Sequence, residues 1–121
     1  MSEPSTGAAL EPEDAKLVTL ARSARARTRA AQGAAVRDLD GRTYAGATVA
    51  LASLQVSAVG VAVAMAVSSA ARGLEAVVVV SGNGEDTVEA ADLAAVRDLA
   101  GPGVAVHRCT PDGTVLQRLT S

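Results

Sequence analysis

The chain has 121 residues, 49% apolar but only 1% aromatic, with 11 basic and 13 acidic side chains for a net charge of -2. That length suits one domain rather than two. The charge balance speaks against a general nucleic-acid binder, the high apolar share against disorder, and the lone Cys excludes both an intrachain disulfide framework and a Cys-pair zinc site. Trp, Phe and Ile are absent and Tyr44 is the one aromatic, which argues against a base-stacking platform. Ala, Val and Leu must supply the core, in elements that approach one another closely.

Residues 1–9 read as a mobile tail and residues 10–121 as a single domain. The start is polar, with Glu3 where a targeting peptide would be basic. The longest apolar stretch, residues 56–71, is too short for a bilayer and is broken by Ser57, Gly60, Ser68 and Ser69. A cytoplasmic protein without a membrane partner is the expectation.

The first element is a helix from Glu11 to a stop at Gln32 and Gly33. Pro12 suits its first turn, Glu13 and Asp14 suit its positive end, and Leu17, Leu20, Ala21 and Ala24 form an apolar stripe. Residues 33–49 then predict a β-hairpin about the turn pair Asp40 and Gly41. Ser53 is the expected N-cap of a second helix that runs to about Ala71 and stops at Gly73. That helix is apolar nearly all round, which predicts burial by a sheet and by partner subunits. Residues 76–80 form a β-branched run suited to a buried central strand. A turn follows over residues 81–84, and Asp86 is the expected N-cap of a third helix, with Glu89 at its third position. The helix ends near Leu99, before Gly101, Pro102 and Gly103. Residues 104–108 and 114–119 make two last strands about a turn at Pro111, Asp112 and Gly113. The order is α-β-β-α-β-α-β-β, an α/β chain.

Within that order, Gly33, Ala34, Ala35 and Val36, followed by Asp40, Gly41, Arg42, Thr43, Tyr44, Ala45 and Gly46, resemble the first hairpin of cytidine deaminases, V-G-A-A and then D-G-x-x-Y-x-G. The resemblance runs from about Leu17 to Leu119. It implies a three-layer α/β/α sandwich with a five-stranded mixed sheet, and assembly as a dimer or tetramer.

The resemblance also implies a zinc site, which the family builds from C-A-E-R at the start of the second helix and P-C-x-x-C at the start of the third. The corresponding ligand positions here are Ser57, Glu89 and Asp92, and Val59 stands where the family has its proton-shuttling Glu. Thr48 and Ala50 stand for the Asn and Glu that hold the ribose, and no aromatic lies near residues 28–31. The expectation is a deaminase-like fold without catalytic residues, metal or other cofactor, its former pocket packed over by Ala and Val. The helix at residues 54–71 is expected to join copies of the chain, with the identity of any small-molecule ligand left open.

Other candidates have plainer explanations. Glu89 and Asp92 with Asp86 could approach a hard metal ion, yet carboxylates there also complement a helix N-terminus. His107 and Cys109 share a strand face, but a nucleophile pair needs a third, orienting group. The glycines of residues 81–84 could cradle phosphate, but no Lys-Ser/Thr follows and Glu85 and Asp86 would repel it. Arg22, Arg25 and Arg29 lie at helical spacings of one face and could meet an anionic partner, such as RNA phosphate or a nucleotide.

Overall fold

A computed structural model describes residues 10–82 and 87–121. The mobile tail expected over residues 1–9, and the turn and cap assigned to Asn83, Gly84 and Asp86, lie outside the described residues. The elements are α1 (Pro12–Thr28), β1 (Gln32–Asp38), β2 (Thr43–Ala47), β3 (Val49–Ala50), β4 (Gln55–Val56), α2 (Ala58–Ser68), β5 (Leu74–Ser81), α3 (Ala90–Ala100), β6 (Ala105–Cys109) and β7 (Val115–Thr120). Five strands form one mixed sheet in the order β2-β1-β5-β6-β7, in which β5 and β6 alone run parallel. The expected α/β/α sandwich and the order of its main elements are therefore found. Among the described residues no helix is long and apolar enough to cross a membrane.

The valines of β5 explain the layering. Successive strand side chains point to opposite faces. Val77 and Val79 join a core with Val59, Ala62 and Ala66 of α2 and Val96 of α3. Val78 and Val80 join a second core with Leu17, Val18 and Ala21 of α1. A strand buried on both faces reads as a continuous apolar run, as this one does.

Small residues set the spacing of the layers. A Cβ on Gly33 would lie 2.0 Å from the Ala21 carbonyl oxygen, so α1 rests directly on the backbone of β1. On the other face a Cβ on Gly46 would lie 2.5 Å from Val61 Cγ1 of α2. Both helices sit nearer the sheet than any larger side chain would permit.

Four boundaries differ from expectation. Helix α1 ends at Thr28 rather than at Gln32, because Arg29 turns into the left-handed region at φ 56 and the N–H of Ala30 closes onto Arg25 O. Ser53 does not cap α2. The residues before that helix fold back as the short β3–β4 ladder, closed by Leu51 N–H donating to Leu54 O at 2.8 Å. Ser57 is the cap instead, its Oγ accepting from Gly60 N–H. The same helix stops at Ser68, with Ala70 rather than Gly73 taking positive φ. Helix α3 starts at Ala90, so Glu89 is its N-cap rather than its third residue.

The hairpin turn is held by one carboxylate. Asp38 Oδ1 accepts from the N–H groups of Asp40 and Arg42, each at 2.9 Å, and Oδ2 accepts from Tyr44 OH at 2.9 Å. Burial alone would raise the Asp38 pKa, but the bonds from Arg42 N–H, Tyr44 OH and Asp40 N–H outweigh it and hold the group below the usual carboxylate value.

Three measurements check this account. Gly33→Ala lowers the free energy of urea unfolding by about 2 kcal/mol, the usual cost of overpacking, because the contacted atom is backbone and cannot swing away. The Asp38 contribution is fully present above the unfolded-state pKa of about 3.9 and is lost as pH falls through the lower folded value. Asp38→Asn therefore flattens the acid limb of a stability–pH curve. His107, under α1, is shifted down by burial, partly offset by the Asp14 charge and reinforced by Arg118. Stability linked to it is complete above an unfolded pKa of about 6.5 and declines as pH falls toward the folded value, a slope that His107→Gln removes.

Candidate functional site

The N-termini of α2 and α3 meet beside the start of β1 and the end of β2. Between them lies a cleft of about 210 Å³, lined by Ala31, Gln32, Thr48, Ser57, Thr87, Glu89 and Asp92. Four positions named from the sequence, Thr48, Ser57, Glu89 and Asp92, are thus brought to one place. The packing-over of the pocket by Ala and Val is not found; a cleft with a largely polar set of side chains persists.

The polar groups of the cleft are tied to one another. Ser57 Oγ donates to Asp92 Oδ1 at 2.6 Å while accepting from Gly60 N–H at 2.9 Å. Asp92 Oδ2 accepts from Glu89 N–H at 3.3 Å. Asp92 is buried, and its charge faces the positive ends of two helices. Thr48 Oγ1 accepts from Gln32 N–H at 3.1 Å, which pins the end of the hairpin to β1. Glu89 is exposed at the rim.

Two named positions stand elsewhere. Val59 is 1% exposed and belongs to the core between the sheet and α2. Ala50 lies on β3, exposed and away from the lining of the cleft. Gln32 and Thr87 were not expected in the site. Their nearness to the cleft follows from Gln32 opening β1 and Thr87 preceding α3, and Gln32 Nε2 donates to Thr87 O at 3.5 Å. Only Gln32 carried a signal, as the polar residue next to the segment in which the family keeps its pocket aromatic.

The donor set does not fit the zinc ion that the fold implies. Thiolates and imidazoles, the usual zinc ligands, are missing from the lining of the cleft, and the positions that the resemblance assigns to ligands hold one hydroxyl and two carboxylates. The hydroxyl and both oxygens of Asp92 are already engaged in the hydrogen bonds just described. Among the described residues no three His, Cys, Asp or Glu side chains are grouped to hold a metal ion.

The remaining candidates are dispersed. Arg22 donates to Pro111 O at 2.9 Å and Arg25 to Ala31 O at 3.2 Å, both tying α1 to neighbouring loops. Arg29 lies beyond the helix, so the spacing that grouped it with Arg22 and Arg25 is broken. His107 Nε2 lies 3.5 Å from Asp14 Oδ2 on α1, and its Nδ1 is buried without a hydrogen-bond partner. Cys109 is buried in the α1-side core, where burial pushes its thiol up to about 11. A thiol so shifted stays protonated and is no nucleophile near neutral pH.

The architecture has solved counterparts. The crystal structure of a cytidine deaminase from Burkholderia pseudomallei aligns over 88% of this chain and 91% of its own, at 24% identity and a TM-score of 0.77. A cytidine deaminase from Mycobacterium leprae aligns over 91% and 94%, at 24% identity and a TM-score of 0.70. One from Mycobacterium tuberculosis aligns over 79% and 85%, at 24% identity and a TM-score of 0.68. At that identity these likenesses establish the fold. No curated protein matches the sequence. The profile of the cytidine deaminase-like family matches residues 10–113, which is most of the chain. By that match and that fold, the chain belongs to the cytidine deaminase-like family.

Proposed function

We propose that this protein is a catalytically inactive member of its family that acts as an oligomeric structural or interaction module. The observation that carries the reading is Val59. Where the resemblance calls for a carboxylate to move protons, an aliphatic side chain is sealed in the core. The hydrogen-bonded Ser57 and Asp92 next to it support the same conclusion, since neither is free to activate water.

Helix α2 supports the assembly half of the proposal. Its eleven residues include no charged side chain, yet Met65 is 48% and Val67 53% exposed. Leu51 and Leu54 extend the apolar surface from the β3–β4 loop. Val49, Leu54, Val56, Val61, Ala64, Met65 and Ser68 line a groove of about 390 Å³ along the helix. An exposed apolar patch of this kind marks an interaction site.

The cleft favours a second reading, a sensor of a small metabolite such as a nucleoside or nucleotide, because its volume and its Gln32, Thr48 and Thr87 side chains remain. A thermal-shift series with nucleosides and nucleotides separates the two: a saturable rise in the unfolding midpoint supports the sensor, and no rise with any of them removes it.

Inactivity is tested by metal analysis together with ammonia release from cytidine and deoxycytidine. The expected result is no turnover above the blank; bound zinc with turnover would instead make this a deaminase with an atypical metal site. Light scattering at micromolar concentration is expected to give a dimer or tetramer, and Leu54→Glu with Met65→Glu, both in the groove, to give a monomer. A monomeric parent chain would remove the assembly half.

A further inference from the structure

Helices α2 and α3 begin at the same cleft, but they are unequally provided with charge. The first turn of α2 carries no acidic residue. The first turn of α3 carries Asp92. We propose that Asp92 caps both helices, α3 directly and α2 from across the cleft through the Ser57 hydroxyl. This pair thereby supplies the tie between helix ends that a shared metal ion would otherwise provide.

The hydrogen bonds form one continuous path. Gly60 N–H, in the first turn of α2, donates to Ser57 Oγ. The Ser57 hydroxyl donates its proton to Asp92 Oδ1, at the 2.6 Å expected of a charge-assisted bond. Glu89 N–H, at the start of α3, donates to Asp92 Oδ2. Two orphan amides on two helices are therefore linked to one carboxylate, that of Glu89 directly and that of Gly60 through the Ser57 hydroxyl. Asp92 is 6% exposed, so water screens this charge little, and each donor polarises the next. An ordinary serine cap would serve α2 alone and would be indifferent to residue 92.

The roles differ in what each substitution disturbs. Ser57 carries the connection and Asp92 carries the charge. Asp92 is a residue of α3, so any loss of order that its removal causes in α2 reports the path between them.

The proposal rests on the reading that the site does no metal chemistry, and it is tested separately from that reading. Amide hydrogen exchange of the full chain is followed at Gly60 and its neighbours. Asp92→Ala is expected to speed exchange there roughly tenfold, the factor for losing one hydrogen bond to a charged group. Ser57→Thr, which keeps the hydroxyl, retains the protection. Ser57→Ala and Asp92→Ala each lower the unfolding midpoint, and together they lower it by less than the sum. Should Asp92→Ala fail to fold, Asp92→Asn replaces it in both measurements. Additive midpoint shifts, or α2 exchange that ignores residue 92, would overturn the shared cap even if the chain is inactive. Native mass spectrometry of the full chain with added zinc supplies the last arm. No zinc mass per chain is expected in whatever assembly is seen, and one zinc per chain that disappears in Asp92→Ala would overturn the tie. Turnover of cytidine would count against the inactive reading while leaving the measured coupling as it stands.

Discussion

The rest of the structure depends on two strand glycines whose missing side chains let a helix come close on each face of the sheet. Helix α1 lies on β1 at Gly33, against the Ala21 carbonyl, and α2 lies on β2 at Gly46, against Val61. Close approach lets a core built mainly of Ala and Val be buried on both faces of the sheet without Phe or Trp. Dispersion falls steeply with distance, so small side chains stabilise a core only when the layers come near. The sparse aromatic content and the glycines at these two contacts are therefore one constraint seen twice. Gly33 and Gly46 also belong to the hairpin that carries the family resemblance.

The order of the main elements was legible because its signals are local. Asp40 and Gly41 mark the hairpin, but its loop takes in Leu39 as well: Gly41 N–H donates to Asp38 O, Asp38 N–H donates to Arg42 O, and Gly41 alone in the loop takes positive φ. The run Val77–Val80 marks the central strand through composition alone. Boundaries were less legible where a tertiary contact decides them. Ser53 and Ser57 are equally good caps in sequence, and only the pairing of Val49 with Val56 and of Ala50 with Gln55 leaves the helix to start at the second. Asp86 and Glu89 compete in the same way, and the bond from Glu89 N–H to Asp92 marks where α3 begins.

The site was legible in position more than in content. Ser57, Glu89 and Asp92 were set apart by resemblance, and the meeting of two helix N-termini brings them to one cleft. Neither periodicity nor spacing could foresee that Ser57 and Asp92 bond to each other, since 35 residues separate them along the chain. Ala50 misled because β3 turns it outward. The arginines of α1 looked like one charged face, but Arg22 and Arg25 serve as fasteners to loop carbonyls. Side chains with long stems often find local backbone acceptors that no helical wheel shows.

Cys109 has a bearing on how copies of the chain can associate. It is the only thiol, it is fully buried beneath α1, and its proton is held more tightly than in water. An intermolecular disulfide would require that layer to open first. The assembly proposed through α2 would consequently be noncovalent, its population set by protein concentration and temperature rather than by disulfide formation.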